Sequence, residues 1–455
     1  MLATPSRSFP PGFVWGVATA SYQIEGAVEE DGRKPSIWDA FSRQPGRVMN
    51  GDTGDVACDH YHRWEADLDL IQRLGVGAYR FSIAWPRVIP DGDGAVNRPG
   101  LDFYDRLVDG LLERGVTPIP TLYHWDLPQA LEARGGWTVR STADAFAAYT
   151  QAVAGRLGDR IGMWITLNEP WVSAFIGHAT GEHAPGRRDL REALRAGHHL
   201  LLAHARAVPV LRASGSGQVG ITVNVTDVVP ATDREDDRRA ADLADEQVNR
   251  WFIDPVRRGA YPAGMTAAYG ELMEGIVQAG DLEAIAAPID TLGINYYFRT
   301  HVAAAEPRVA ADEPMAVLPY RAVVPAGLPR TAMGWPVEPD GLRDILVTLA
   351  GRYPGLPIHV TENGSAWDDV VGPDGSVDDP ERVAYLEAHV DAVGQAIEAG
   401  ADVRGYFAWS LLDNFEWAEG YSKRFGIVHV DYDTLRRTPK ASARRYAEMI
   451  AANGI

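Results

Sequence analysis

Two glutamates in this chain stand in matching places. Glu169 follows the run Ile161 to Asn168, and Glu362 follows Pro357-Ile358-His359-Val360-Thr361. Both runs are apolar and rich in β-branched residues, with no helical period, which is the pattern of a buried strand. Pro170 has no N–H and disfavours the helical region for Glu169, so the first strand is expected to stop there. Gly364 is expected to allow a sharp turn after the second. Each strand therefore delivers a carboxyl group at its C-terminal end. Two carboxyl groups flanking a bond are what glycoside hydrolysis uses: one protonates the leaving oxygen, the other attacks the sugar carbon or activates a water. Burial and like-charge proximity would raise the pKa of one, so that it keeps a proton near neutrality. The other has to stay ionised. Arg80 and the hydroxyl of Tyr297 are candidates to hold it so.

Something must bring positions so far apart in sequence together. Eight strand-like runs recur along the chain: 13–20, 78–85, 117–124, the run before Glu169, 218–224, 291–297, the run before Glu362, and 403–410. Amphipathic stretches such as 64–74, 101–114, 142–157, 190–211 and 382–398 separate them. Strand–helix alternation builds parallel βαβ units, and eight of them close a (β/α)₈ barrel. The expected fold class is therefore α/β: a TIM barrel with extended loops, residues 1–455 forming a single catalytic domain. Such barrels do chemistry at the C-terminal strand ends. His124, Asn168, Glu169, Asn224, Asn295, Tyr297, Glu362 and Trp409 all stand there. The length beyond the roughly 250 residues of a bare barrel goes into loops. Residues 233–250 are a charge run, read as a solvated helix face. Residues 301–339, rich in Ala and Pro, are read as a long loop folded over the pocket.

Composition narrows the partners. A formal net charge of −19 argues against nucleic acid and an anionic membrane surface. Thirteen tryptophans, several at strand ends, offer flat apolar faces on which a sugar ring can stack. Cys58 is the single cysteine, so no disulfide forms within the chain. Residues 1–11 lack the apolar core of a signal peptide. No apolar run approaches the roughly 20 residues of a membrane-spanning helix. A cytoplasmic location is expected. His60 with His62, and His198 with His199, lack the spacing and companions of a zinc site. No glycine-rich phosphate loop precedes a helix, so neither metal nor cofactor is expected. Oligomeric state is left open, a homo-oligomer included.

The motifs carry a resemblance. Thr166-Leu167-Asn168-Glu169-Pro170 and Thr361-Glu362-Asn363-Gly364 resemble the two signatures of family 1 of the glycoside hydrolases, the β-glucosidase family. The opening 13–26 is similar to that family's N-terminal signature. So are 79–87, Tyr123-His124-Trp125-Asp126-Leu127-Pro128, Asn295-Tyr296-Tyr297 and 409–426. The match runs over essentially the whole chain. It implies a retaining β-D-glycosidase acting on a small-molecule β-glycoside, with Glu169 as general acid/base and Glu362 as nucleophile. Arg80 and Tyr297 would orient Glu362. Gln23, His124, Trp125, Asn168, Asn295, Trp409, Glu416 and Trp417 would bind the glycone, Asn168 at the 2-hydroxyl. Trp171, His178, Asn224 and Trp335 would line the aglycone side. The resemblance also implies a cis peptide at Trp409–Ser410. A hydrolase of 6-phosphoglycosides is the first alternative. Glu416 opposes it, because a carboxylate near the sugar 4- and 6-hydroxyls repels a phosphate and such relatives carry Ser there, whereas Lys423 and Arg424 favour it. A sulfur-glycoside hydrolase would replace Glu169 by Gln. A non-catalytic carbohydrate-binding relative would be expected to have lost one glutamate, and both are present.

Overall fold

Eight parallel strands close on themselves in chain order. They are β1 (Val14–Ala18), β2 (Ala78–Ser82), β3 (Thr117–Tyr123), β4 (Met163–Asn168), β5 (Gln218–Asn224), β6 (Thr291–Asn295), β7 (Ile358–Asn363) and β8 (Val403–Trp409). The description rests on a computed structural model covering residues 7–215, 217–308 and 313–455. The first six residues of the N-terminal stretch, and 309–312 of the 301–339 segment, lie outside the described residues.

Helices fill the crossovers. Arg98–Glu113, between β2 and β3, shows why: Leu101, Tyr104, Val108 and Leu111 repeat at helical spacing and are buried against the barrel. A leucine held this way is worth about 2–5 kcal/mol when truncated to alanine. The strands are buried along almost their whole length, so they read as near-continuous apolar runs rather than as alternating ones. No helix among the described residues is long and apolar enough to cross a membrane.

Register places the polar residues at one level. Ala18 pairs with both Arg80 and Trp409, and Asn224 pairs with Asn295. The two glutamate-bearing strands share an irregularity at this end. Between β7 and β6, Val360 pairs with Ile294 and Glu362 with Asn295, so two residues advance against one. Between β4 and β5, Ile165 pairs with Gly220 and Asn168 with Thr222. Neighbouring residues of a regular strand point to opposite faces; an extra residue re-aims those beyond it. The Trp409–Ser410 peptide is cis.

Three expectations need correction. The 301–339 segment is not a structureless loop. Thr300–Ala304 and Tyr320–Val323 pair with each other, and Thr300–Ala304 also pairs with Val228–Pro230, in a small outer sheet. Thr300 and Val302 are the β-branched residues of this strand, and the Ala- and Pro-rich stretch around them hid the signal. Nor is 233–250 only a solvated face. Ala240, Ala241 and Ala244 of the helix Glu235–Asp245 are buried with Val302 under that sheet, and the helix passes into a π-helical turn, Glu246–Arg250. Gly364, finally, makes no sharp turn: the chain has neither turn nor bend over residues 364–370, and the φ of Gly364 is not positive. A Cβ there would stand 1.7 Å from the carbonyl oxygen of Trp409. The glycine is needed because β7 and β8 approach so closely past their ends. Gly364→Ala is therefore expected to destabilise the fold by about 1–3 kcal/mol through overpacking against backbone, read from the midpoint of a denaturant titration.

Candidate active site

The ends of β4 and β7 bring their carboxyl groups into one hydrogen-bonded array. Glu362 receives Arg80 Nη1 on Oε1 at 2.5 Å and the Tyr297 hydroxyl on Oε2 at 2.7 Å. Glu169 receives Asn295 Nδ2 on Oε1 at 2.7 Å. Asn168 sits between them. Its Oδ1 accepts from Arg80 Nη2 at 2.6 Å and from Asn295 Nδ2 at 3.0 Å. With that oxygen taken, its amide nitrogen meets His124 Nε2 at 3.0 Å, so Nε2 accepts and Nδ1 carries the imidazole proton. Glu169 itself has φ +46°, a left-handed value rare for a side-chain-bearing residue. The kink, just past the irregular register of β4, turns Glu169 out of the strand.

The electrostatics separate the two glutamates. Burial, then the charge of Glu362, pushes Glu169 upward. Burial also raises Glu362, but the Arg80 guanidinium and the Tyr297 hydroxyl pull it back. Glu362 therefore holds the negative charge of the pair and Glu169 the proton. Glu416 is pushed up to about 8 by burial and by Glu362. Burial, helped by Arg80, holds His124 well below the ordinary histidine range, so it is neutral.

Both carboxyls open into a cavity of about 830 Å³. Its inner wall includes His124, Trp125, Asn295, Trp409, Glu416 and Trp417. The His124 ring stacks between Trp409 and Trp417, at 5.9 and 6.0 Å. Gln23 Nε2 donates to Asn414, to the Phe415 carbonyl and to Glu416 at 3.3 Å, while its buried Oε1 has no protein partner. Toward the mouth the cavity is bordered by Trp171, Ile176, Asn224 and Trp335.

A cavity with one ionised and one protonated carboxyl group, walled by indoles, is built for acid-assisted displacement at a sugar carbon. The family model for Glycosyl hydrolase family 1 matches residues 5–455. The chain belongs to glycosyl hydrolase family 1. It is 50% identical over 452 residues to a protein of Thermotoga maritima named Beta-glucosidase A, covering 99% of each chain. A Bifidobacterium breve protein named Bifunctional beta-D-glucosidase/beta-D-fucosidase is 49% identical, with 97% of this chain and 98% of that one covered. The solved structure of the family 1 β-glucosidase from Thermotoga maritima in complex with isofagomine lactam superposes with a TM-score of 0.94 at 49% identity, covering 99% of this chain and 100% of that one.

Within this family 1 site, fifteen of the sixteen residues singled out from sequence border the cavity or bond directly to residues that do. Arg80, Asn168 and Gln23 are in the second position, behind the wall. His178 is the exception. Its Nδ1 bonds the Ser173 carbonyl at 2.8 Å, and it lines a separate small void that Trp125 also borders. The π-helical segment Val172–Thr180 carries it inward, which spacing along the chain does not reveal. Two contributors went unread. Thr361 donates to Asn295 Oδ1 at 2.8 Å, and Asn414 accepts from Gln23. Both lie inside motifs already quoted; a polar residue within each apolar or aromatic run was the available signal.

Tyr297→Phe tests the division of charge. It removes one donor to the ionised form of Glu362 and leaves Arg80 in place. The carboxylate becomes easier to protonate, so the acid limb of the kcat/KM profile is expected to move to higher pH. At the optimum, kcat/KM should fall by about a hundredfold to a thousandfold, the range for losing one preorganised donor. An acid limb unmoved in the variant would show that Arg80 alone sets the ionisation.

Proposed function

We propose that this family 1 chain is a retaining β-D-glucosidase, with residues 1–455 as one catalytic domain. It would hydrolyse terminal non-reducing β-D-glucosyl residues by double displacement, with β-galactosides and β-fucosides as further substrates. The asymmetry between the carboxyls carries the reading: Glu362 is held charged by two donors, and Glu169 is held neutral by burial and by Glu362. Glu362 is thereby suited to attack the anomeric carbon, and Glu169 to protonate the leaving oxygen. Glu169 would then deprotonate the water that releases the sugar. Asn168, His124, Gln23, Glu416 and the indoles of Trp125, Trp409 and Trp417 would hold the glycone. Trp171, Asn224 and Trp335 would meet the aglycone. The neutral state of His124 and the proton on Glu416 suit an uncharged sugar. The names of the relatives at about half identity support the same substrate. A cytoplasmic location fits the single, buried cysteine.

Nothing favours the 6-phosphoglycoside alternative. Lys423 Nζ donates to the Ala332 carbonyl at 2.9 Å, and Arg424 is paired with Asp413 at 2.7 Å. Neither borders the cavity.

The roles are separated by rescue with azide. Glu362→Gly removes the nucleophile, so turnover of β-glucosides should collapse. Azide in the vacated space should then give the α-glucosyl azide. Glu169→Ala keeps the nucleophile, so aryl glucosides with good leaving groups should still form the glycosyl-enzyme, while cellobiose fails. Azide should resolve that intermediate to the β-glucosyl azide. NMR of the two products decides: exchanged anomers would reverse the roles, and full activity of both variants on cellobiose would remove them.

A further inference from the structure

Trp125 borders both the large cavity and a second, much smaller void. That void measures about 10 Å³ and is lined in part by Trp38, Ser173, His178 and His183. Trp38 Nε1, His178 Nε2 and His183 Nδ1 are buried with no protein partner, and the Ser173 hydroxyl has that of Tyr123 beside it. Buried polar groups are rarely left unsatisfied, and three around one void call for a common ligand. The volume admits about one water, which needs two to four polar partners.

Their chemistry fixes what the ligand can be. Trp38 Nε1 can only donate. His178 Nδ1 gives its proton to the Ser173 carbonyl, so Nε2 presents a lone pair. Burial pushes His178 and His183 down to about 4, so both rings are neutral. The Ser173 hydroxyl can donate, and His183 Nδ1 can accept. The set offers the Trp38 N–H as donor, His178 and His183 as acceptors and a hydroxyl that can serve as either, which suits a single water. A cation would meet the Trp38 N–H, and an anion would meet the His178 lone pair.

We propose that these four side chains bind one water molecule, and that this water ties the loop after β1 to the loop after β4, fixing the indoles of the inner wall. Trp38 packs on Trp417 at 4.7 Å, and His183 packs on Trp38 at 5.2 Å and on Trp125 at 5.4 Å. Losing the water frees both loops directly behind Trp125 and Trp417. His178 is thus a positioning residue for the glycone and not an aglycone contact. The kinetic consequence rests on the β-glucosidase reading; the water itself does not.

A crystal structure of the full chain at water-resolving resolution should show one solvent peak within about 2.7–3.2 Å of Trp38 Nε1, of His178 Nε2 and of at least one of the other two atoms. No peak, or a direct protein partner for Trp38 Nε1, would overturn the site. Trp38→Phe keeps the ring and deletes only the donor. It should lose the peak, displace the Trp125 ring, and raise KM for nitrophenyl β-glucoside about tenfold with kcat within twofold and both limbs of the pH profile unmoved. His178→Leu should do the same, and His178→Gln, whose carbonyl can accept, should restore KM. An unshifted Trp125 and wild-type KM in Trp38→Phe would refute the positioning role, as would equal losses in His178→Leu and His178→Gln. A wild-type chain that keeps the peak but turns over no nitrophenyl β-glycoside would instead refute the substrate reading.

Discussion

One ion pair organises this protein: Arg80 with Glu362, both buried at the mouth of the barrel. Taking two charges out of water costs several kcal/mol each, and the attraction repays it only where the remaining valences are satisfied. Here the second oxygen of Glu362 takes the Tyr297 hydroxyl and the second arm of Arg80 takes Asn168, while Arg80 Nε stays buried without a protein partner. The surroundings follow from the charge balance. Five glutamates border the cavity; three of them, Glu169, Glu362 and Glu416, act on one another through their charges, and among the described residues Arg80 is the one cation bonded to any of these three. One carboxylate can be neutralised by one guanidinium; the other two are pushed toward their protonated forms. The result is a cluster of three carboxyl groups with little net charge inside a chain of net charge −19.

The barrel is what makes such an array affordable. Each member comes from a different strand or strand end: Arg80 from β2, Asn168 from β4, Asn295 from β6, Glu362 from β7. Parallel pairing sets their heights, so groups separated by up to 282 positions meet at hydrogen-bond distance. The irregular registers of β4 and β7 do what regular strands cannot, because strict alternation would send one of each adjacent pair into the helical layer.

Much of this was legible in the chain. Eight buried strands give eight apolar runs, and a polar residue at the end of an apolar run is visible without coordinates. Glu169, Glu362, Asn295 and Tyr297 were read that way, and the quoted motifs carried the rest of the inner wall. The losses have physical causes. His178 lies on a π-helical segment, whose turn differs from the helical period, so its direction could not be inferred. The outer sheet is short, and its strands take most of their order from pairing rather than from propensity. Gly364 was credited with a turn because glycine usually signals one; close approach of two backbones leaves the same residue and no other mark. The bulges are invisible because they change direction, not composition.

The proposed two-step reaction also follows from the array. In the free protein the charge of Glu362 is what keeps the proton on Glu169, beyond burial itself. Attack on the sugar converts Glu362 into a neutral ester, and Glu169 has by then given its proton to the leaving oxygen. Arg80 loses its anionic partner at that moment, and its charge acts in the opposite sense, lowering Glu169. In the proposed reaction a carboxyl group kept protonated for the first step would thereby be eased toward ionisation for the second, when it must take a proton from water. No residue has to move. The same electrostatic coupling that sets acid and nucleophile apart at rest turns the acid into a base once the nucleophile is spent.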